Sequence, residues 1–290
     1  MYKKQEVIKD FSVFLLPSLL LYVLVVVYPL LDTFSLGFFS WDGLSPRKFI
    51  GLGNYLEVAL DPVFWKSLWN NVLWIIISIV NPMVCGLIIA VFLSQIELGR
   101  KIYLVILYIP VVLSLVVVGL VWGLMYNPIV GPVNVFFTQI GRAEWVRGWL
   151  GDDRFVNLAI ILAGNWTYFG FCTVIFLAGL QGINPSIIES AVIDGAGPIR
   201  RFFRIIIPCL GDQINLVVVN SIIGSFKIFD IVYVMTNGGP NHASEVIATY
   251  MYWQAFKNGR VGYGAALATL LTVFVGVSSI IYLRKRENVR

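Results

Sequence analysis

Long apolar runs without charged residues recur along this chain and constrain its fold more than any other feature. A helix that crosses a bilayer needs about 20 predominantly apolar residues, and backbone exposed to lipid must bond its own polar groups. The sequence therefore predicts an all-α membrane protein. We predict six transmembrane helices, at about 11–31, 70–94, 102–126, 157–180, 211–235 and 261–283. The fifth stretch is the least apolar, because Lys227 and Asp230 interrupt it.

The composition supports a membrane protein. Hydrophobic residues make up 58% of the chain and charged residues 13%, whereas a soluble domain carries roughly 25% charged residues. The sequence contains no internal repeat, low-complexity tract or long linker. We therefore predict that residues 1–290 form a single transmembrane domain.

Lys and Arg are divided unevenly between the two sides of the predicted helices. One side carries Lys3, Lys4, Lys9, Arg100, Lys101, Arg200, Arg201, Arg204, Arg284, Lys285, Arg286 and Arg290. The other side carries Arg47, Lys48, Lys66, Arg142, Arg147, Arg154, Lys257 and Arg260. Because the larger set marks the cytoplasmic side, we predict that both termini and the 184–208 loop are cytoplasmic. The net charge of +5 follows from this topology and from lipid contact, and it gives no reason to expect a nucleic-acid partner.

Residues suited to enzymatic chemistry are scarce. The sequence lacks a G-x-x-x-x-G-K-[ST] loop, so any ATP-driven work has to come from another subunit. His242 is the only histidine and the three cysteines are widely spaced, which argues against a Ser-His-Asp triad or a metal site. A membrane-embedded enzyme that uses Ser225 and Lys227 is disfavoured, because residues two apart on a helix point to different faces. We predict no catalytic residue, no metal and no cofactor.

A polar segment, ESAVIDGAGPIRRFFRIIIP, lies between two of the apolar runs at 189–208. Its spacing resembles the EAA loop of binding-protein-dependent ABC import permeases, with Ser190 where Ala is usual and Ile207 where Leu is common. In that family the loop is a short cytoplasmic helix pair that docks in a cleft of an ATPase subunit. The resemblance implies an ATPase-coupling role for Glu189, Ser190, Ala191, Asp194, Gly195, Phe202, Phe203 and Pro208.

Further motifs surround and follow the fifth apolar run. The segments 229–240, 250–256 and 263–266 carry FDIVYVMTNGGP, YMYWQAF and YGAA. In this order after the EAA loop they resemble the sugar-type permease subunits of ABC importers, the relatives of the maltose and glycerol-phosphate transporters. The resemblance implies the type I importer permease fold in the bacterial cytoplasmic membrane. It also implies a second homologous permease subunit, two ATP-binding subunits and an extracytoplasmic solute-binding protein as partners, besides the lipid bilayer.

The same resemblance suggests which residues approach the sugar. On the fourth predicted helix these are Thr167, Tyr168 and Phe171, and on the fifth they are Ser221, Gly224 and Ser225. Hydroxyl groups and aromatic faces suit a saccharide. Helix packing explains a small residue such as Gly224 equally well. Ser225 and Ile228 stand where the maltose relative carries amide side chains, so the identity of the sugar stays open.

The function predicted is that of a permease subunit that carries an oligosaccharide, while partner subunits hydrolyse ATP. A secondary, proton-coupled transporter using Lys227 and Asp230 is the alternative, because charges at membrane depth are costly and often functional. Three residues apart on one helix, these two side chains can touch. They then either line a polar route or only neutralise each other.

Overall fold

The computed structural model describes Ser12 and residues 15–287, so the basic residues Lys3, Lys4, Lys9 and Arg290 lie outside the described residues. The described part of the chain is mainly helical and divides into two compact units. The described parts of Met1–Asp61 and Met251–Phe274 form one unit. The described parts of Pro62–Tyr250 and Val275–Arg290 form the other. The single-domain prediction remains a prediction.

The first unit begins with helix α1, Leu15–Leu36, which contains a π-helical segment at Val23–Val27. Two short antiparallel strands follow, β1 at Phe39–Ser40 and β2 at Lys48–Phe49, and then helix α2 at Gly53–Leu60. The buried amide of Asn54 joins α2 to the preceding segment, donating at 2.9 Å to the carbonyls of both Gly37 and Phe39.

The second unit contains the next helices, the last of which crosses its boundary at Tyr250. They are α3 Pro62–Ser94, α4 Arg100–Tyr108, α5 Leu115–Met125, α6 Pro132–Gln139, α7 Val156–Gln181, α8 Pro185–Ile193, α9 Pro198–Cys209, α10 Gly211–Lys227, α11 Asp230–Met235 and α12 Ile247–Tyr252. A π-helical segment, Trp253–Lys257, continues α12. The last helix, α13, covers Val261–Glu287.

Four helices of the described chain are long and apolar enough to cross a membrane. They are α1, α3, α7 and the Val261–Tyr282 part of α13. Two bent pairs raise the number to six if each pair is one span. The pair α4 and α5 bends by 98°, and the pair α9 and α10 bends by 68°. Each of the six predicted apolar stretches therefore overlaps one of these helices or bent pairs.

The third predicted stretch, 102–126, is bent because the chain leaves helical geometry in its middle. Pro110 lies in a 3-10 turn, Ile109–Val112, and cannot donate a backbone hydrogen bond. Leu113 is then extended, and the Ser114 hydroxyl caps α5 by accepting from the backbone N–H of Val117 at 3.3 Å.

The fifth predicted stretch, 211–235, is also not one helix, which corrects the sequence prediction. Helix α10 ends at Lys227, Ile228 is extended at φ −61° and ψ 123°, and α11 begins at Asp230. Lys227 and Asp230 therefore do not share a helical face, and these two exposed residues form no ion pair within the described chain. The extended backbone at Ile228 ends the helix, and the side-chain amide of Asn71 donates to the carbonyl of Ser225 in its last turn at 2.8 Å.

Glycines allow α7 to pack closely against its neighbours. A Cβ atom at Gly86 of α3 would lie 2.5 Å from the Cβ of Cys172 on α7. A Cβ atom at Gly170 would collide with the backbone carbonyl of Leu107 on α4. Small residues at such crossings let membrane helices approach closely enough for extensive van der Waals contact. Packed in this way, α3 and α7 provide the scaffold on which the cavity described next is built.

Candidate functional site

A cavity of about 170 Å³ opens between α3, α5, α7 and α10. Five of the six residues predicted to approach a sugar line it, namely Thr167, Tyr168, Ser221, Gly224 and Ser225. The sixth, Phe171, does not line the cavity and stacks on Tyr168, with ring centroids 5.2 Å apart. The structure thus brings together residues from two helices that are more than 50 positions apart in the chain.

Some hydroxyl groups of the cavity are already bonded within the protein. The Thr167 hydroxyl donates to the carbonyl of Gly164 at 2.8 Å, and the Ser221 hydroxyl donates to the carbonyl of Ser78 at 3.2 Å. The Ser78 hydroxyl donates in turn to the Oδ1 of Asn165 at 2.8 Å. These bonds hold α3, α7 and α10 together around the cavity.

Two other polar atoms of cavity-lining residues are buried and have no hydrogen-bond partner in the described protein. They are the Nε1 of Trp74 and the Oγ of Ser225. A buried polar group without a partner costs about 1–3 kcal/mol. Their grouping around one cavity therefore marks positions where a polar ligand or water can supply the missing bonds.

Sequence reasoning missed the contribution of α3 to this cavity. Trp74 and Ser78 line it from α3, and Asn165 lines it from α7. A signal was present in the sequence, because Asn70, Asn71, Trp74, Ser78 and Asn81 recur at helical spacing within an apolar stretch. Such a polar stripe on a membrane helix indicates a face turned toward the protein interior.

The loop at 236–246, which contains the N-G-G-P motif, folds around a buried carboxylate. Glu245 is 2% exposed and accepts a hydrogen bond from the Thr249 hydroxyl, and the Nδ1 of His242 lies 2.9 Å from its other oxygen. Gly238 has a φ of +87°, and a Cβ atom there would collide with this carboxylate. The motif therefore needs glycine for two reasons, the left-handed backbone and the space taken by Glu245. His242 is the hydrogen-bond partner of a buried acid, which its position in a polar turn did not reveal.

The predicted coupling residues lie on α8, on α9 and in the turn between them. Ala191 is buried, whereas Glu189, Ser190 and Asp194 are exposed. Gly195 ends α8 at a φ of +76°. Farther along, Phe202 and Phe203 make an edge contact with ring centroids 5.1 Å apart, and Pro208 lies in the last turn of α9.

Exposed apolar side chains surround these coupling residues. Ile193 is 85% exposed, Ile199 is 75% exposed and Phe203 is 63% exposed. Within the described chain these side chains project from a segment that also carries Arg200 and Arg201. Contiguous apolar residues rimmed by charges are typical of a surface that another protein covers.

Residues 82–286 match the family model described as the binding-protein-dependent transport system inner membrane component. This match covers well over half of the chain. The chain belongs to this family. The family and the fold class inferred from the motifs are thereby confirmed, and the permease is a component of an ABC transporter.

Relatives match over nearly the full length of the permease. It is 37% identical over 275 residues to the probable ABC transporter permease protein YurN of Bacillus subtilis, covering 93% of this chain and 94% of YurN. It is 33% identical to the sulfoquinovosyl glycerol transport system permease protein SmoG of Agrobacterium fabrum, covering 93% and 88%. It is 31% identical to the trehalose/maltose transport system permease protein MalF of Thermococcus litoralis, covering 93% and 91%.

Solved structures support the fold. A chain in the crystal structure of a bacterial ABC transporter involved in the import of the acidic polysaccharide alginate superposes with a TM-score of 0.84, covering 99% of both chains at 20% identity. A chain of a bacterial alginate ABC transporter, in complex with an alginate pentasaccharide-bound periplasmic protein, gives a TM-score of 0.81 at 21% identity, covering 97% of this chain and 95% of that one. The permease therefore has the all-α fold of type I importer permeases.

Proposed function

We propose that this permease provides part of the membrane route for an oligosaccharide in an ATP-driven importer. The observation that carries the proposal is the cavity, which Tyr168 lines and in which Trp74 and Ser225 have buried polar atoms without partners in the described protein. Indole, phenol and hydroxyl groups offer a saccharide both hydrogen bonds and aromatic faces. The names of SmoG, MalF and the lactose permease LacF, which describe transport of sugars or glycosides, support the same substrate class.

The size of the cavity favours a route shared between two subunits. Pockets that enclose a small ligand usually measure about 300–1,000 Å³, and this cavity measures about 170 Å³. We therefore propose that a second, homologous permease subunit supplies the remaining wall. The solute-binding protein delivers the oligosaccharide to this shared route from the extracytoplasmic side, where the 236–246 loop lies.

The coupling segment, α8 with α9, is proposed to meet the ATPase on the cytoplasmic side of the membrane. Its exposed Ile193, Ile199 and Phe203 supply apolar contact area, and Glu189 and Asp194 supply charges for a basic partner surface. Each permease subunit would engage one of the two ATP-binding subunits. ATP hydrolysis then belongs to those subunits, and this chain is a transport component without enzymatic activity of its own.

The test of the carbohydrate route is the substitution Ser225→Trp. An indole at this position fills the cavity, so uptake by the complete importer in proteoliposomes with ATP inside is expected to fall at least about tenfold. The ATPase subunits should still copurify with the variant, because α8 and α9 are unchanged. Leu216→Trp is the matched control, since Leu216 is on the same helix, is 48% exposed and does not line the cavity. Normal uptake by Ser225→Trp would show that Ser225 serves only helix packing and does not line the transport route.

The proton-coupled alternative is tested in the same proteoliposomes. Family membership favours the importer, and the separation of Lys227 from Asp230 removes the charge pair on which the alternative depended. Uptake is expected to require ATP and to persist when an ionophore dissipates the proton gradient. Gradient-driven accumulation without any ATPase subunit would overturn the importer proposal. If uptake requires ATP, a glycan panel applied to the partner solute-binding protein would identify the sugar.

A further inference from the structure

Two neighbouring asparagines of α3, Asn70 and Asn71, connect the 236–246 loop to the wall of the cavity. Both are buried, with 4% and 0% of their surface exposed. The Nδ2 of Asn70 donates to the carbonyls of Ala243 at 3.1 Å and Glu245 at 2.8 Å. Its Oδ1 accepts from the Nδ2 of Asn157 on α7 at 3.0 Å. Asn70 therefore fixes the end of the loop to α3 and, through Asn157, to α7.

Asn71 makes the connection to the cavity. Its Oδ1 accepts from the backbone N–H of Ile247 at 3.0 Å, and its Nδ2 donates to the carbonyl of Ser225 at 2.8 Å. Ile247 is the first residue of α12, and Ser225 lies in the last turn of α10. One side-chain amide thus bonds an N–H group at the start of one helix and a carbonyl at the end of another.

Both of these backbone groups need a partner from outside their own helix. The first N–H groups and the last C=O groups of a helix have no partner within it. At Ile228 the backbone is extended, so α10 cannot continue and satisfy its last carbonyls. Asn71 supplies both partners, so the two helix ends depend on the same side-chain amide.

We propose that Asn71 is a positioning residue for the transport route, which makes the position of Ser225 in the cavity wall depend on the conformation of the 236–246 loop. The inference rests on the proposed function, because it treats this cavity as the path of the oligosaccharide. A change in the loop moves the Ala243–Ile247 backbone, that backbone is bonded to Asn70 and Asn71, and Asn71 holds Ser225. The position of Ser225 in the cavity wall is thereby linked to the conformation of the loop, although Ser225 and Ile247 are more than 20 residues apart.

Hydrogen–deuterium exchange on the complete importer in lipid nanodiscs tests this connection without requiring transport. Asn71→Leu keeps the approximate shape of the side chain and removes both bonds. Exchange is expected to increase about fivefold or more in peptides covering both 236–250 and 217–229. Asn54→Leu is the control, because Asn54 is also buried, at 5% exposed, and bonds two carbonyls, but within the first unit. It should leave exchange in both peptides unchanged.

A second measurement keeps Asn71 and therefore remains decisive if Asn71→Leu does not assemble. Gly238→Ala disturbs the loop at a left-handed glycine that packs on Glu245. It is expected to increase exchange in the 217–229 peptides as well as in the loop. Exchange changes confined to the loop for Gly238→Ala, or an effect of Asn71→Leu on only one of the two segments, would overturn the proposal.

The two proposals fail in different ways. If exchange shows the connection while Ser225→Trp leaves uptake normal, the cavity is not the oligosaccharide route and the proposed function falls. If Ser225→Trp blocks uptake while the two segments exchange independently, the route stands and the positioning role of Asn71 is wrong.

Discussion

Gly170 shows how much of this fold depends on a missing side chain. The residue faces the backbone of Leu107, and a Cβ atom in its place would overlap the carbonyl oxygen. A backbone carbonyl cannot rotate away as the tip of a long side chain can. The α4–α7 crossing therefore tolerates only glycine at this position, although glycine is a weak helix former.

The substitution Gly170→Ala is expected to lower the stability of the purified permease complex. Overpacking of a well-packed contact costs about 1–3 kcal/mol, so the thermal unfolding midpoint should fall by several degrees. Gly123→Ala is the control, because Gly123 is also helical but has open space where a Cβ would lie. Alanine favours a helix over glycine by about 1 kcal/mol, so Gly123→Ala should be neutral or slightly stabilising. Equal midpoints for the two variants would contradict the close approach of α4 and α7.

Among the elements, the coupling segment depends on the turn between α8 and α9. Gly195 has a φ of +76°, and its N–H donates to the carbonyl of Val192 at 3.0 Å. Gly197 follows with an ordinary φ of −63° and caps α9. The turn therefore has one glycine that its geometry requires and one that it does not.

Gly195→Pro is expected to leave the protein inserted but to abolish ATP-driven uptake. Proline fixes φ near −65° and has no N–H, so the turn loses both its geometry and its hydrogen bond. Gly197→Ala should transport normally, because no atom lies within 4 Å of the position of its Cβ. Uptake and copurification of the ATPase subunits are measured together at matched expression. Normal uptake by Gly195→Pro would remove the coupling role of this segment.

The break between α10 and α11 changes what is expected of Lys227 and Asp230. On a continuous helix, removal of one charge would leave the other unpaired, and each single variant would transport worse than the double variant. The two residues are instead exposed, on separate helices, and form no ion pair with each other. They should therefore behave as independent sites.

Lys227→Met, Asp230→Leu and the double variant test this independence. Their effects on initial uptake rates, expressed as free energies, are expected to add within about 0.5 kcal/mol. Uptake is measured in proteoliposomes with ATP inside. A double variant that transports distinctly better than either single variant would show that the two charges interact during transport.

For the molecule as a whole, the apolar stretches and five residues that line the cavity could be named from the sequence, whereas the helix breaks could not. Ser221 and Ser225 are four residues apart, so helical spacing alone places them on one face. The end of α10 at Lys227 could not be predicted in this way, because the side chain that bonds its last turn, Asn71, is 154 residues away in the chain. Trp74 was missed for a related reason, since it reaches the cavity from a different helix. The spacing of residues along one helix predicts which of them share a face, whereas contacts from distant parts of the chain cannot be predicted from that spacing.

The 68° bend between α9 and α10 has a practical consequence for spectroscopy, because a natural thiol lies beside it. Cys209, the last residue of α9, is exposed, whereas Cys172 is fully buried and Cys85 is partly buried. A maleimide fluorophore or spin label should therefore attach preferentially to Cys209 without any engineered cysteine. Such a label would report, without an engineered cysteine, on rotation of α9 against α10 when the proposed ATPase subunits bind nucleotide.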